Sequence, residues 1–349
     1  MRLLGTLEQQ ARSELPRAHY DYFAGAAGDE RTLAENAAAW RRVWIRPRVM
    51  VDVADVDPSC TLLGRRLRLP VLLAPMAAQR LLHSGGEPAA ARAAGAAGTV
   101  YCLSTRATAD LAEVAATATG SLWFQLYVDR DRRHSERVLA RAAAHGYEAI
   151  VLTVDLPVGG RRERERLHGA FEFPEGIALQ SHLDRPLDSV QTPIGGWDAS
   201  LSWPDVAWVR AASGLPVVVK GILCAEDGAA AVQAGADAIV VSNHGGRQLD
   251  GCVPTAVALR EVAAEVAGRV PVLVDGGISD GADVVRALAL GADAVLVGRP
   301  YAWGLATGGE AGVRQVLDAY AEDLRLALAL AGCPTLSDVG EDRVRLAGW

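Results

Sequence analysis

Eight short apolar runs, separated by alanine-rich stretches, constrain this chain more than any other feature. They lie at 71–75 (VLLAP), 99–104 (TVYCLS), 121–128 (SLWFQLYV) and 149–155 (AIVLTVD), then at 216–221 (PVVVKG), 238–243 (AIVVSN), 271–277 (PVLVDGG) and 294–300 (AVLVGRP). None exceeds eight residues, all are rich in Val, Ile or Leu, and none alternates polar with apolar. A strand buried on both faces reads this way, which implies a parallel sheet covered by helices. The stretches between them, such as 86–98 (GEPAAARAAGAAG) and 225–236 (AEDGAAAVQAGA), read as helices in which glycine closes the end before the next strand. Eight β-then-α units in series point to an α/β protein with a closed (β/α)8 TIM barrel rather than an open sheet. The segment GADAIVV at 235–241 recurs as GADAVLV at 291–297, the helix-to-strand unit a barrel repeats; shared turn chemistry explains it equally well.

Two stretches fall outside the repeat. Residues 1–68 precede the first barrel strand and are expected to be helical, ending in a capping segment. Residues 160–207 separate the fourth and fifth strands, far longer than an ordinary connection. This insertion opens on RRERERLHG and contains Pro174, Pro186, Pro193, Gly195 and Gly196. It reads either as a lid over the catalytic face or as a tolerated surface loop. The expectation is one domain, 1–349, with the barrel over 69–305 and C-terminal helices over 306–349.

Composition narrows the function. With 35 Lys+Arg against 42 Asp+Glu the net charge is −7, which offers no general attraction to nucleic acid. No apolar run reaches the roughly 18 residues of a membrane span, and MRLLGTLEQQARSELP has no signal-peptide core. Five scattered cysteines (Cys60, Cys102, Cys224, Cys252, Cys333) form no CxxC pair, so neither a disulfide framework nor a zinc site is expected, and a cytoplasmic location fits. No His and carboxylate set has ligand spacing, so no metal is expected.

Side chains at the C-terminal ends of barrel strands face the active site. In strand order these are Ala77, Ser104, Gln125 and Tyr127, Thr153 and Asp155, Lys220, His244, Asp275, and Gly298 with Arg299. The segment 242–250 (SNHGGRQLD) is the strongest local signal: a His that accepts a proton near neutrality lies three positions before an Arg that can hold a carboxylate. Taken alone, His244 is open to a structural reading as well. Asp275-Gly276-Gly277 and Gly298-Arg299 form the loop pair that binds phosphate in many barrels, or else plain turn glycines beside a surface arginine. His83 is read as orienting its loop; His19, His134, His145, His168 and His182 as surface or loop residues; the eight Trp as packing; and RRERERLHG beyond Arg162 as a solvated face.

Nearly the whole chain resembles the FMN-dependent α-hydroxy-acid oxidases and dehydrogenases, a family including glycolate, lactate and mandelate-oxidising enzymes. The resemblance is carried by HYDYFAGAAGDERTLAEN (19–36), LLAPMAAQRLLHSGGE (72–87), WFQLYVDRD (123–131), LTVDLPVGGRR (152–162), VVVKGIL (217–223), SNHGGRQLD, and DGGISDGADVVRALALGADAVLVGRP (275–300). It implies that His244 is the base acting on an (S)-2-hydroxy acid while FMN takes a hydride or its equivalent at N5, and that Asp155 stabilises the imidazolium. It implies that Arg247 and Tyr22 bind the substrate carboxylate, with Tyr127 and Arg162 nearby. Lys220 would sit against flavin N1 and O2, and Ser104, Gln125, Thr153 and Ser242 would surround the ring, with the backbone at Ala77 near N5. Gly276, Gly277, Gly298, Arg299 and the Asp275 turn would form the phosphate end. The electron acceptor would be oxygen, a quinone or another carrier, and the assembly a homo-oligomer, often a tetramer.

Departures from the resemblance set further expectations. Ser279 stands where an arginine is expected for the phosphate, which predicts weaker FMN retention. Arg106 and Gly159 stand where a tryptophan and a bulky apolar residue are common, which predicts room for a substrate larger than glycolate, either mandelate-like or with a polar or anionic side chain. Arg106 is equally open to a reading in which it faces solvent or a loop carboxylate. Two rival functions are a flavin-free lyase using Lys220 as a Schiff base and a catalytically idle barrel.

Overall fold

Alternation within each apolar run decides where its side chains go. The computed structural model describes residues 2–168, 173–180 and 196–347. The eight runs form parallel strands β4 (Val71–Leu73), β5 (Val100–Ser104), β6 (Ser121–Leu126), β7 (Ala149–Thr153), β8 (Val217–Ile222), β9 (Ala238–Val241), β10 (Val272–Val274) and β11 (Ala294–Val297). They close in sequence order, with β11 pairing β4. Leu72, Cys102, Trp123, Val151, Val218, Val240, Leu273 and Leu296 point inward and form one core. Their neighbours along each strand, such as Leu73, Leu103, Phe124, Ile150 and Val219, point outward beneath the helices and form a second. Both faces are thus apolar, and no polar alternation survives in the sequence. Trp123 is the bulkiest inward group, and truncating it to Ala should cost about 3–5 kcal/mol.

The helices that cover the sheet include α4 (Gly86–Ala97), α5 (Leu111–Thr117), α6 (Arg132–Ala144), α8 (Pro204–Ser213), α9 (Ala225–Gln233), α10 (Thr255–Val266), α11 (Gly281–Ala289) and α12 (Arg299–Ala331). Asp110, Asp131 and Asp280 cap α5, α6 and α11 by accepting from backbone N–H groups of the first turn.

The N-terminal segment is only partly helical. Helices α1 (Arg2–Glu14), α2 (Arg17–Ala24) and α3 (Arg31–Arg41) are followed by β1 (Val43–Ile45) and a hairpin, β2 (Cys60–Leu62) with β3 (Arg65–Leu67). Leu62 and Leu67 of the hairpin join the inner core and cap the barrel from beneath. The C-terminal helices also give way to a strand: β12 (Val344–Leu346) pairs antiparallel with β1. A three-residue pairing across some 300 positions leaves no local pattern to read, which is why the sequence suggested helices throughout. Of the 160–207 insertion, its start and its ends are described; Pro186, Pro193, Gly195 and His182 lie outside the described residues. Its described ends are anchored: Gln180 N–H donates to Ala107 O (2.9 Å) and Asp198 N–H to Val128 O (2.9 Å). Among the described residues no helix is long and apolar enough to cross a membrane.

Candidate active site

Parallel register places the polar strand ends at one level. Ser104 pairs with Gln125 and Thr153 with Lys220 at the C-terminal mouth, where a cavity of about 660 Å³ opens. That volume is in the range of cofactor and ligand sites. Ser104 Oγ donates to Gln125 Oε1 (3.2 Å), and Gln125 Nε2 donates to Thr153 Oγ1 (3.1 Å). Ser104 and Thr153 line the cavity, while Gln125 lies behind them and holds them in place.

Lys220 is buried at the barrel mouth, where its Nζ donates to Ser242 Oγ (2.6 Å) and pairs with Asp275 Oδ2 (2.8 Å). Burial pulls its pKa down, but the carboxylates of Asp275 and Asp155 outweigh burial and leave it above the ordinary lysine value. An ammonium held this firmly is a poor Schiff-base nucleophile and a good fixed positive charge, which argues against the lyase reading. Asp275, expected at the phosphate turn, instead directs its carboxylate to this lysine. Ser242 is likewise behind the cavity wall, where its Oγ also accepts from the His244 N–H (3.0 Å).

The loop after β9 carries His244 in the left-handed region, at φ +57°. Such a conformation costs a non-glycine residue of order 1–3 kcal/mol and persists only where its surroundings impose it. Here the support is a reciprocal amide pair: Asn36 Nδ2 donates to Asn243 Oδ1 (2.9 Å) and Asn243 Nδ2 to Asn36 Oδ1 (2.8 Å), both buried. The imidazole is held at both nitrogens, Nδ1 by Asp155 Oδ1 (2.9 Å) and Nε2 by the Tyr127 hydroxyl (3.2 Å). Burial raises the Asp155 pKa, yet the His244 imidazole and Lys220 more than offset it and keep the carboxyl below its usual range. Burial raises the Tyr127 phenol well above its ordinary value, and Asp155 adds to the rise. Tyr127 is flanked in turn by Trp197, ring centroids 5.2 Å apart, a neighbour the sequence did not reveal. Asp155 owes its position to Gly221, whose φ is +121° and whose missing Cβ would lie 2.7 Å from that of Asp155.

Arg247 lines the same cavity as His244. Nη1 donates to the carbonyls of Tyr22 and Gly25 (both 2.8 Å), and the guanidinium lies over the Tyr22 ring, 5.2 Å from its centroid. Arg162 Nε donates to Arg247 O (3.2 Å). Arg106 is buried and lines the same cavity, which answers the solvent-facing reading. Desolvation lowers its pKa, and Tyr22 and Tyr127 are the groups that act most strongly to raise it again.

Gly159 requires a correction. It is exposed, does not line the cavity, and a Cβ there would meet nothing within 4 Å; Leu156 faces the cavity instead. The glycine that matters is Gly160, where a Cβ would stand 2.4 Å from Arg247 O, so its absence lets the two loops touch. A second correction concerns RRERERLHG, which is not simply a solvated face. Arg164 pairs with Glu30, His168 Nε2 with Asp21 Oδ2 (2.8 Å), and Glu165 with Arg247 (3.1 Å). His168 is therefore an anchored residue, and His134 is buried at the start of α6. Among the tryptophans Trp44 is exposed, against the packing role expected of them all.

The far end of the cavity fits the phosphate of FMN. Arg299 is half-buried and donates to the carbonyls of Phe23 (3.1 Å), Gly245 (3.1 Å) and Gly25 (2.9 Å), and among the described residues no carboxylate lies within ion-pair distance of it. Burial, with Arg247 close by, pushes its pKa down to about 9. A half-buried cation bonded only to carbonyls, with Glu30 and Glu8 acting on it from a distance, favours an anion beside it. Gly276, Gly277 and Gly298 line the cavity beside it, and Ala74 to Ala77 form a wall toward the ring end. Arg299 and these loops would hold the phosphate, while Lys220, Ser104, Thr153 and the Ala77 backbone would hold the ring. Ser279 also lines this end, but its N–H and Oγ both donate to Asp283 Oδ2 (2.9 and 2.7 Å).

Comparison with known proteins identifies the family. Residues 11–346 match the family model of the FMN-dependent dehydrogenases. The chain is 46% identical to glycolate oxidase 1 of Oryza sativa subsp. indica over 338 residues, covering 94% of this chain and 91% of that one. It is 46% identical to L-lactate oxidase of Nostoc sp. over 346 residues, covering 95% and 94%. The crystal structure of mandelate oxidase with benzoyl-formic acid superposes with a TM-score of 0.91 at 46% identity, over 99% of this chain and 98% of that one. The complex of mandelate oxidase with (S)-2-phenylpropionate gives 0.90 at 46% identity, over 99% and 98%. The chain belongs to the FMN-dependent dehydrogenase family. It is a flavoprotein oxidoreductase that uses FMN, of the (S)-2-hydroxy-acid oxidase and dehydrogenase class.

Proposed function

We propose that the protein oxidises an (S)-2-hydroxy acid larger than glycolate to the 2-oxo acid, with His244 as the base and oxygen as the final electron acceptor. The observation that carries this reading is the His244 imidazole held between Asp155 and Tyr127, three positions before Arg247 on the same loop. Arg247 binds the substrate carboxylate, and the Tyr127 hydroxyl bonds the reacting end. His244 accepts the substrate proton at Nε2, and Asp155 at Nδ1 stabilises the imidazolium so formed. FMN, when bound, supplies the two-electron acceptor. Lys220 contributes a fixed positive charge at the barrel mouth, beside the ring position.

Arg106 supports the larger substrate. It puts a buried guanidinium on the cavity wall, which can stack on an aryl ring or bond a polar or anionic side chain. The oxidase names of the relatives support oxygen as acceptor. The test is anaerobic mixing of the purified flavoprotein with glycolate, (S)-lactate, (S)-mandelate and (S)-malate, followed by admission of air. Bleaching of the visible flavin band by mandelate or malate ahead of glycolate is expected, with recovery and peroxide formation in air. No bleaching by any member would reject hydroxy-acid oxidation; glycolate in first place would reject the larger substrate; a band that stays bleached in air would reject oxygen.

A further inference from the structure

The loop after β7 returns to the substrate end through one helical turn, α7 (Glu163–Arg166). Its flanks are tied down independently, Arg164 to Glu30 and His168 to Asp21. Between them Glu165 turns inward. Its Oε1 lies 3.1 Å from Arg247 Nη2, and its two oxygens lie 3.4 and 3.5 Å from Arg162 Nη1. One carboxylate thus sits between two guanidiniums that would otherwise repel: Arg162 lowers the Arg247 pKa after burial does, and Glu165 opposes both.

Counting donors shows what this arrangement achieves. A guanidinium has five N–H groups. Arg247 commits both on Nη1 to the carbonyls of Tyr22 and Gly25 and one on Nη2 to Glu165. Those remaining, Nε–H and the second on Nη2, form the side-on edge that accepts a carboxylate in bidentate fashion. We propose that Glu165 is a positioning residue for the substrate clamp: it fixes the plane of the Arg247 guanidinium and holds Arg162 beside it, so that this two-donor edge faces the incoming carboxylate. The proposal rests on the hydroxy-acid reading of the site.

Its sign is unusual and decides the test. Removing a negative charge beside an anion site ordinarily tightens anion binding. Loss of a positioning carboxylate weakens it instead. The holoenzyme and its Glu165→Gln and Glu165→Ala variants are titrated with glyoxylate and benzoylformate, followed by the shift of the flavin band. The alanine variant should bind either 2-oxo acid about tenfold more weakly, the loss of roughly one charge-assisted hydrogen bond. Glutamine, which keeps an acceptor, should fall between it and the parent. The limiting rate of anaerobic flavin reduction should change by less than about threefold, because ground-state and transition-state binding are lost together. FMN affinity and melting temperature should hold, since Arg164 and His168 still fasten the turn. Unchanged or tighter binding, a limiting rate that falls in step with affinity, or loss of FMN from both variants would each overturn the proposal. A parent enzyme whose flavin no 2-hydroxy acid reduces would instead sink the functional reading beneath it.

Discussion

Asp155 places Oδ1 2.9 Å from His244 Nδ1, and its other oxygen, Oδ2, is buried without a hydrogen-bond partner among the described residues. The carboxylate therefore hydrogen-bonds the imidazole through one oxygen and acts on Lys220 and Tyr127 only through space. Asp155→Asn keeps the shape and removes the charge that stabilises a protonated His244. The rate of flavin reduction should fall by about 10²–10⁴-fold, the range for misassigning the tautomer of a catalytic base. Stopped-flow reduction checks this, with the flavin spectrum confirming that FMN is still bound.

The role proposed for Arg106 is to separate substrates by side chain. Arg106→Leu should depress reduction by (S)-malate by about 10- to 100-fold, the worth of a hydrogen bond to a charged group. Reduction by (S)-lactate, which has nothing for the guanidinium to bind, should change little. A parallel loss for both acids would show that Arg106 serves the fold and not the side chain.

At the phosphate end, Ser279 gives its hydroxyl to Asp283, a buried carboxyl whose pKa is raised by burial and by Asp280. The serine supplies no charge to FMN. Ser279→Arg should slow FMN dissociation by about 10-fold or more through one added ion pair. Recovery of flavin fluorescence on dilution measures the rate, and an unaltered rate would refute the weak-retention argument.

Asp21 ties α2 to the loop after β7. Burial raises its pKa, but hydrogen bonds from Arg17 and His168 prevail and hold it below the usual carboxylate range. A depressed carboxyl stabilises the fold above its unfolded pKa and loses that contribution as pH falls through the folded value. Asp21→Asn should therefore cost about 1–2 kcal/mol near neutrality. The gap from the parent should close as the pH drops below about 4, the ordinary carboxyl range. Thermal unfolding across acid pH tests this; a gap that widens toward acid would contradict it.

Much of this site was legible because barrel strands are short and their ends predictable. Once the eight runs were found, Ser104, Tyr127, Thr153, Lys220, His244 and Arg299 followed from position alone. What escaped reading depends on contacts between distant loops. Glu165 looked like one charge in an alternating run, because nothing local distinguishes a side chain turned toward Arg247 from one turned toward water. Gly159 and Gly160 are adjacent and identical; only the approach of Arg247 O tells them apart. The β1–β12 pairing and the Asn36–Asn243 brace join residues hundreds of positions apart, so no window of sequence contains them.

The carbonyl of Gly25 accepts from Arg247 and from Arg299 at once. A single peptide group just past α2 thus anchors two arginines that line the cavity, Arg247 after β9 and Arg299 after β11. A backbone atom, which no side-chain replacement can delete, thus fixes where two guanidiniums stand in one cavity.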